Sequence, residues 1–113
     1  MPLTRSHTLD NGVRIRLRLT RPSDRDCLRA LLADLGLEAD DLTLGRLTRF
    51  DLRRRTAVCA TCFSGGREVV VGYGAIDRFA PDPEVVLADE DAAPGVTELL
   101  AAALRDHAAR DVA

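Results

Sequence analysis

The sequence predicts an α+β domain with a mainly antiparallel sheet. Three observations predict it. Val13-Arg14-Ile15-Arg16-Leu17-Arg18-Leu19 alternates apolar and charged residues, the period of a half-buried strand. Two β-rich runs, Thr56 to Phe63 and Glu68 to Ile76, flank the turn sequence Ser64-Gly65-Gly66-Arg67 and read as a hairpin. Apolar residues recur at helical spacing in two other places, Cys27 to Leu35 and Leu99 to Leu104. With 113 residues the chain has material for one core, so 1–113 reads as a single domain with 1–12 as a lead-in.

In chain order, Asp10-Asn11-Gly12 is a turn, since Asn and Gly adopt positive φ at little cost. The strand 13–19 places Val13, Ile15, Leu17 and Leu19 on one face. Arg14, Arg16 and Arg18 lie on the other, which predicts solvated arginines on a strand near a sheet edge. Pro22 opens a helix, with Ser23 as its cap and Asp26 in the capping-box position. Cys27, Leu28, Leu31, Leu32 and Leu35 share one face, and Gly36 ends the helix. A shorter helix is expected from about Asp41 to Phe50, with Leu44, Leu47 and Phe50 inward and Gly45 weakening it by about 1 kcal/mol relative to Ala. Gly72 and Gly74, two apart in the returning strand, share a face and mark a bulge or a close approach of other chain atoms. Glu84 to Ala88 is a strand, Asp89 to Thr97 a loop and first helical turn, and Glu98 to Ala108 a helix. The order is β-α-α-β-β-β-α, about four strands and three helices.

Composition excludes several classes. Hydrophobic residues at 46% and charged residues at 30% argue against disorder. A net charge of −2 gives no basic surplus for nucleic acid and no strong field for a membrane surface. All sixteen basic residues are Arg, which reads as codon bias, and the run Arg53-Arg54-Arg55 is short and offset by acids. No apolar run has the length of a membrane span, and Met1 to His7 lacks the apolar core of a signal peptide. Three cysteines without a secretion signal fit a reducing cytoplasm. Cys59-Ala60-Thr61-Cys62 is a C-x-x-C, but residues three apart in a strand point to opposite faces, so no metal or redox pair is expected there. His107, late in the last helix, reads as a surface residue.

The corner at Asp89 to Thr97 carries the functional signal. A strand that opens into a helix through a small loop offers free N–H groups and the positive end of the helix dipole, a combination suited to phosphate. The same corner also reads as a packing turn, with Gly95 as a helix-start glycine.

The chain resembles the GNAT superfamily, the acetyl-CoA-dependent N-acetyltransferases. The residues that carry the resemblance are Val13 to Asp24, a first strand running into Arg21-Pro22-Ser23-Asp24; the hairpin Ala57 to Ile76 with Val70-Val71-Gly72; and Ala88-Asp89, Gly95, Leu99-Leu100 and Ala108-Ala109-Arg110. The likeness spans roughly 13–110 and implies the amino-terminal half of that fold, stopping after the cofactor-binding helix. The family's cofactor loop reads Q/R-x-x-G-x-G/A. Here Ala92 stands for the Gln or Arg, Gly95 matches the central glycine, and Thr97 replaces the last small residue; Pro94 precedes Gly95. Thr97 either crowds the approach or donates its hydroxyl.

The resemblance implies acetyl-CoA as cofactor and transfer of its acyl group to an amine. It implies that the backbone of Leu87, Ala88 and Asp89 polarises the thioester, that the Ala92, Gly95, Val96 and Thr97 segment holds the pyrophosphate, and that Glu84 is a base and Tyr73 an acid. Read from the residues alone, Glu84 is also an exposed charge at a strand start, and Tyr73 a core residue. The alternative is a non-catalytic interaction module that keeps a half fold. Either way the last strand is left as an open edge, which predicts a homodimer or pairing with another chain.

Overall fold

The computed structural model describes residues 6–48, 55–77 and 79–112. Five strands form one sheet in the order β1-β2-β3-β4-β5, every neighbouring pair antiparallel. They are β1 (Ser6–Thr8), β2 (Arg14–Leu19), β3 (Arg55–Ser64), β4 (Arg67–Asp77) and β5 (Val85–Ala88); the helices are α1 (Arg25–Asp34), α2 (Asp41–Leu47) and α3 (Val96–Val112). The α+β class and the order of the later elements match the reading from sequence. Phe50, Arg53 and Arg54 lie outside the described residues.

The lead-in contains a strand that sequence reading omitted. β1 pairs with β2 through the Asn11-Gly12 turn, where Gly12 has φ +89° and the Asn11 side chain accepts from the Val13 N–H. β2 is therefore second from the edge of the described sheet, near it as its alternation predicts. Its apolar face is as expected, with Ile15 and Leu17 in the core and Val13 and Leu19 packed against them. Its polar face is not uniformly solvated. Arg14 and Arg16 are exposed, but the Arg18 side chain is 12% exposed and ion-paired.

α1 starts differently from expectation. A single 3-10 turn, Pro22–Asp24, precedes it, and the acid that closes the start is Asp24 rather than Asp26. The Asp24 carboxylate accepts from the Arg21 N–H at 2.7 Å, while the Asp24 N–H donates to the Arg21 carbonyl. Asp26 instead accepts from Arg29 on the surface. The end of α1 follows the sequence: Gly36 has φ +73°, its N–H donates to Ala33, and the Leu37 N–H donates to Leu32, a Schellman closure. α2 is capped by Asp40, which accepts from the Thr43 N–H at 2.7 Å.

The two helical layers bury separate cores. α1 and α2 pack Leu28, Leu31, Leu32, Leu44 and Leu47 against Cys59, Val70, Tyr73 and Ala75. α3 packs Val96, Leu100, Leu104 and Ala108 against Ile15, Leu17, Val58, Ala60, Val71 and Ile76. The paired glycines explain how closely α3 lies. A Cβ on Gly72 would stand 2.7 Å from Leu100 Cδ1 and 3.2 Å from Val96 Cγ2, and one on Gly74 would stand 2.7 Å from Leu104 Cδ1. Beside Gly72 the β3–β4 register shifts: Ala60 faces Gly72 but Thr61 faces Val70, so Val71 is the extra residue.

Candidate functional site

The candidate site is the corner where β5 gives way to α3. β5 is bonded to β4 on one side and is an edge among the described strands. The Asp89 N–H donates to the Val71 carbonyl at 2.8 Å. By the alternation of an antiparallel ladder, the Ala88 N–H and C=O then point away from β4, onto the free edge. Leu87 turns its side chain toward the α1 layer and Ala88 toward the α3 layer, both half-buried.

The loop that follows is tied down by its own acids. The Ala92 N–H donates to Asp89 Oδ1 at 3.1 Å, and the Ala93 N–H to the Asp89 carbonyl at 3.0 Å. Ala93 is fully buried and anchors the loop in the core. Gly95, at φ +95°, precedes the helix, and its carbonyl accepts the Leu99 N–H. The Val96 side chain is core, while its N–H donates to the Ala93 carbonyl at 3.1 Å and also acts on the Glu90 carboxylate. The amides of Gly95 and Thr97 both donate to Glu90: Gly95 N to Oε1 at 3.1 Å, Thr97 N to Oε2 at 2.9 Å. The Thr97 hydroxyl donates to the same Oε2 at 2.9 Å. These donors, the Thr97 and Gly95 N–H groups first, hold the Glu90 carboxyl below the usual carboxylate range. Glu90 escaped sequence reading because it lies inside the run Asp89-Glu90-Asp91, where nothing in the spacing marks which acid folds back on the helix.

Glu84 and Tyr73 are linked through a third residue, Arg55. Arg55 Nε lies 3.5 Å from Glu84 Oε2, and Arg55 Nη2 lies 3.4 Å from Tyr73 Oη. Glu84 is exposed. Tyr73 is wholly buried, its hydroxyl donates to the Leu47 carbonyl at 2.8 Å, and burial pushes its pKa up to about 12. That is the geometry of a core tyrosine with a satisfied hydroxyl. Arg55 was visible in the sequence only as the end of an arginine run.

The remaining candidates stand apart from this corner. Cys59 belongs to the α1 core and Cys62 packs against the α3 core, so the two thiols lie on opposite faces as the strand geometry requires. Burial raises the Cys59 thiol to about 12. His107 is half-buried rather than on the surface, with Nε2 3.4 Å from Thr56 Oγ1. Among the described residues no helix is long and apolar enough to cross a membrane.

This arrangement can be set beside known proteins. No family model matches the chain, and neither does any curated protein. Among solved structures, the GNAT domain of S. lividans PAT superposes with a TM-score of 0.73 at 17% identity, covering 98% of this chain and 75% of that one. The chain thus has a GNAT-like fold.

Proposed function

We propose that this chain is an acetyl-CoA-binding domain of acetyltransferase type, with the cofactor's pyrophosphate at the start of α3. The observation that carries the reading is that the Gly95 and Thr97 N–H groups and the Thr97 hydroxyl converge on one carboxylate. A donor set that holds one oxyanion has the chemistry to hold another. Thr97 supports the fit, since its hydroxyl joins the donors instead of blocking them. When bound, acetyl-CoA supplies a thioester whose acyl group passes to an amine.

The chain's own part is positional and electrostatic. The Ala88 N–H on the free edge lies where it polarises a carbonyl laid along β5, between Leu87 and Asp89. Glu84, exposed at the entrance to β5, is the proposed proton acceptor, with Arg55 holding it in place. Ala92 keeps the loop in shape through Asp89 and is not assigned a ligand contact. Tyr73 is assigned packing. The free edge of β5 supports pairing with a second copy, which a dimer in gel filtration would bear out and a clean monomer at high concentration would refute.

Thermal unfolding with and without acetyl-CoA tests the cofactor reading on wild type and Gly95→Arg. A ligand at a hundred times its dissociation constant adds about 2.7 kcal/mol of apparent stability. A rise in wild type that disappears in the variant supports the corner as the site. No rise in wild type at millimolar acetyl-CoA overturns it.

A further inference from the structure

We infer that Glu90 is a built-in competitor for the anion site at the start of α3, so that a phosphate group enters only when the Glu90 carboxylate swings out. The inference rests on the reading of that corner as the cofactor's pyrophosphate site and concerns its regulation. Glu90 takes donors an entering phosphate needs: the Gly95 and Thr97 N–H groups and the Thr97 hydroxyl, at 2.9–3.1 Å. It reaches them from the loop, five residues before Gly95, and its side chain lies in solvent. The partners that hold it are neutral, so leaving them and rehydrating costs little compared with breaking a buried ion pair. Asp89 and Asp91 flank Glu90, and Glu98 follows in the first turn of α3, so the approach is negative as well as occupied.

A carboxylate so placed weakens the binding of any anion by the free energy of its own contacts, without changing the shape of the site. Substituting it lowers that barrier. Calorimetric titration of wild type, Glu90→Gln and Glu90→Ala with acetyl-CoA, and separately with inorganic pyrophosphate, tests this. Circular dichroism checks that all three are folded. Both ligands should bind both variants about tenfold more tightly than wild type, the scale of one hydrogen bond to a charged group. Equal affinities in all three proteins overturn the competitor role while leaving the cofactor reading intact. Weaker binding by the variants also overturns it, since Glu90 would then be shaping the loop for the ligand. Binding of neither ligand by any of the three removes the cofactor reading and the inference together.

Discussion

All three helices of this domain begin on a carboxylate, and those of α1 and α3 live in opposite surroundings. At the start of α1, Asp24 is buried, 5% exposed, and gripped by Arg18 through two contacts at 2.7 and 2.8 Å. Arg18 also pairs with Glu68 of β4 at 2.7 Å, and Arg21 adds a backbone N–H to Asp24. At the start of α3, Glu90 lies in solvent and is held by neutral donors alone. A buried acid with a cation has nowhere to go, because departure would strand a charge. An exposed acid on N–H groups can be exchanged for another anion. The same local device thus fixes structure at one end of the chain and leaves a replaceable plug at the other.

The largest expected effect breaks the first of these. Asp24→Ala leaves Arg18 buried with only the half-exposed Glu68 and removes the acceptor from the Arg21 N–H. The cost expected is about 3–5 kcal/mol, read as a fall in the denaturant midpoint at unchanged slope. A loss under about 1 kcal/mol would mean that the ion cluster is not what holds β2 to the start of α1.

The next effect asks whether α3 is loose along its body as well as at its start. It is not, if the Gly72 contacts are as close as they stand. Gly72→Val forces side-chain carbons into Leu100, Val96 and Ala60 at once, and should destabilise by about 1–3 kcal/mol. Gly72→Ala should cost less, because the nearest atom is the end of a flexible leucine. Equal stability of wild type and Gly72→Val would show that α3 can lift off the sheet.

Legibility in the sequence followed the range of the interaction. Gly36, the Gly65-Gly66 turn and the alternation of Ile15 and Leu17 are set by near neighbours, and all three appear where their residues place them. β1 was missed because Ser6-His7-Thr8 is too short and too polar to show a period; only its pairing across the Asn11-Gly12 turn makes it a strand. Alternation places Arg18 among solvated arginines because it reports which face a residue is on, not whether that face is covered. Its partner Glu68 is fifty positions away. At the corner, the loop pattern names Gly95 and Thr97, whereas the Val96 side chain turns inward because the fifth position of that pattern faces the core. Glu90 had no pattern to betray it.

The smallest effect separates the two carboxylates by acid. Both have folded pKa values held down, Asp24 by Arg18 and the Arg21 N–H against the opposing pull of burial, Glu90 by the Thr97 and Gly95 N–H groups. A lowered folded pKa means the charged form is favoured in the native state. The stability it contributes is therefore present above the ordinary carboxylate range and lost as pH falls through the folded value, below about pH 4. Glu90→Gln should cost only about 0.5 kcal/mol at neutral pH, because the contact is exposed and screened, and should leave the acid limb of the stability profile nearly unchanged. Asp24→Asn should flatten that limb. The measurement is the unfolding midpoint from pH 7 down to pH 2 for wild type and the two variants. If Glu90→Gln flattened the limb as much as Asp24→Asn, Glu90 would be as firmly held as Asp24, and the start of α3 would be a fixed cap with no room for exchange.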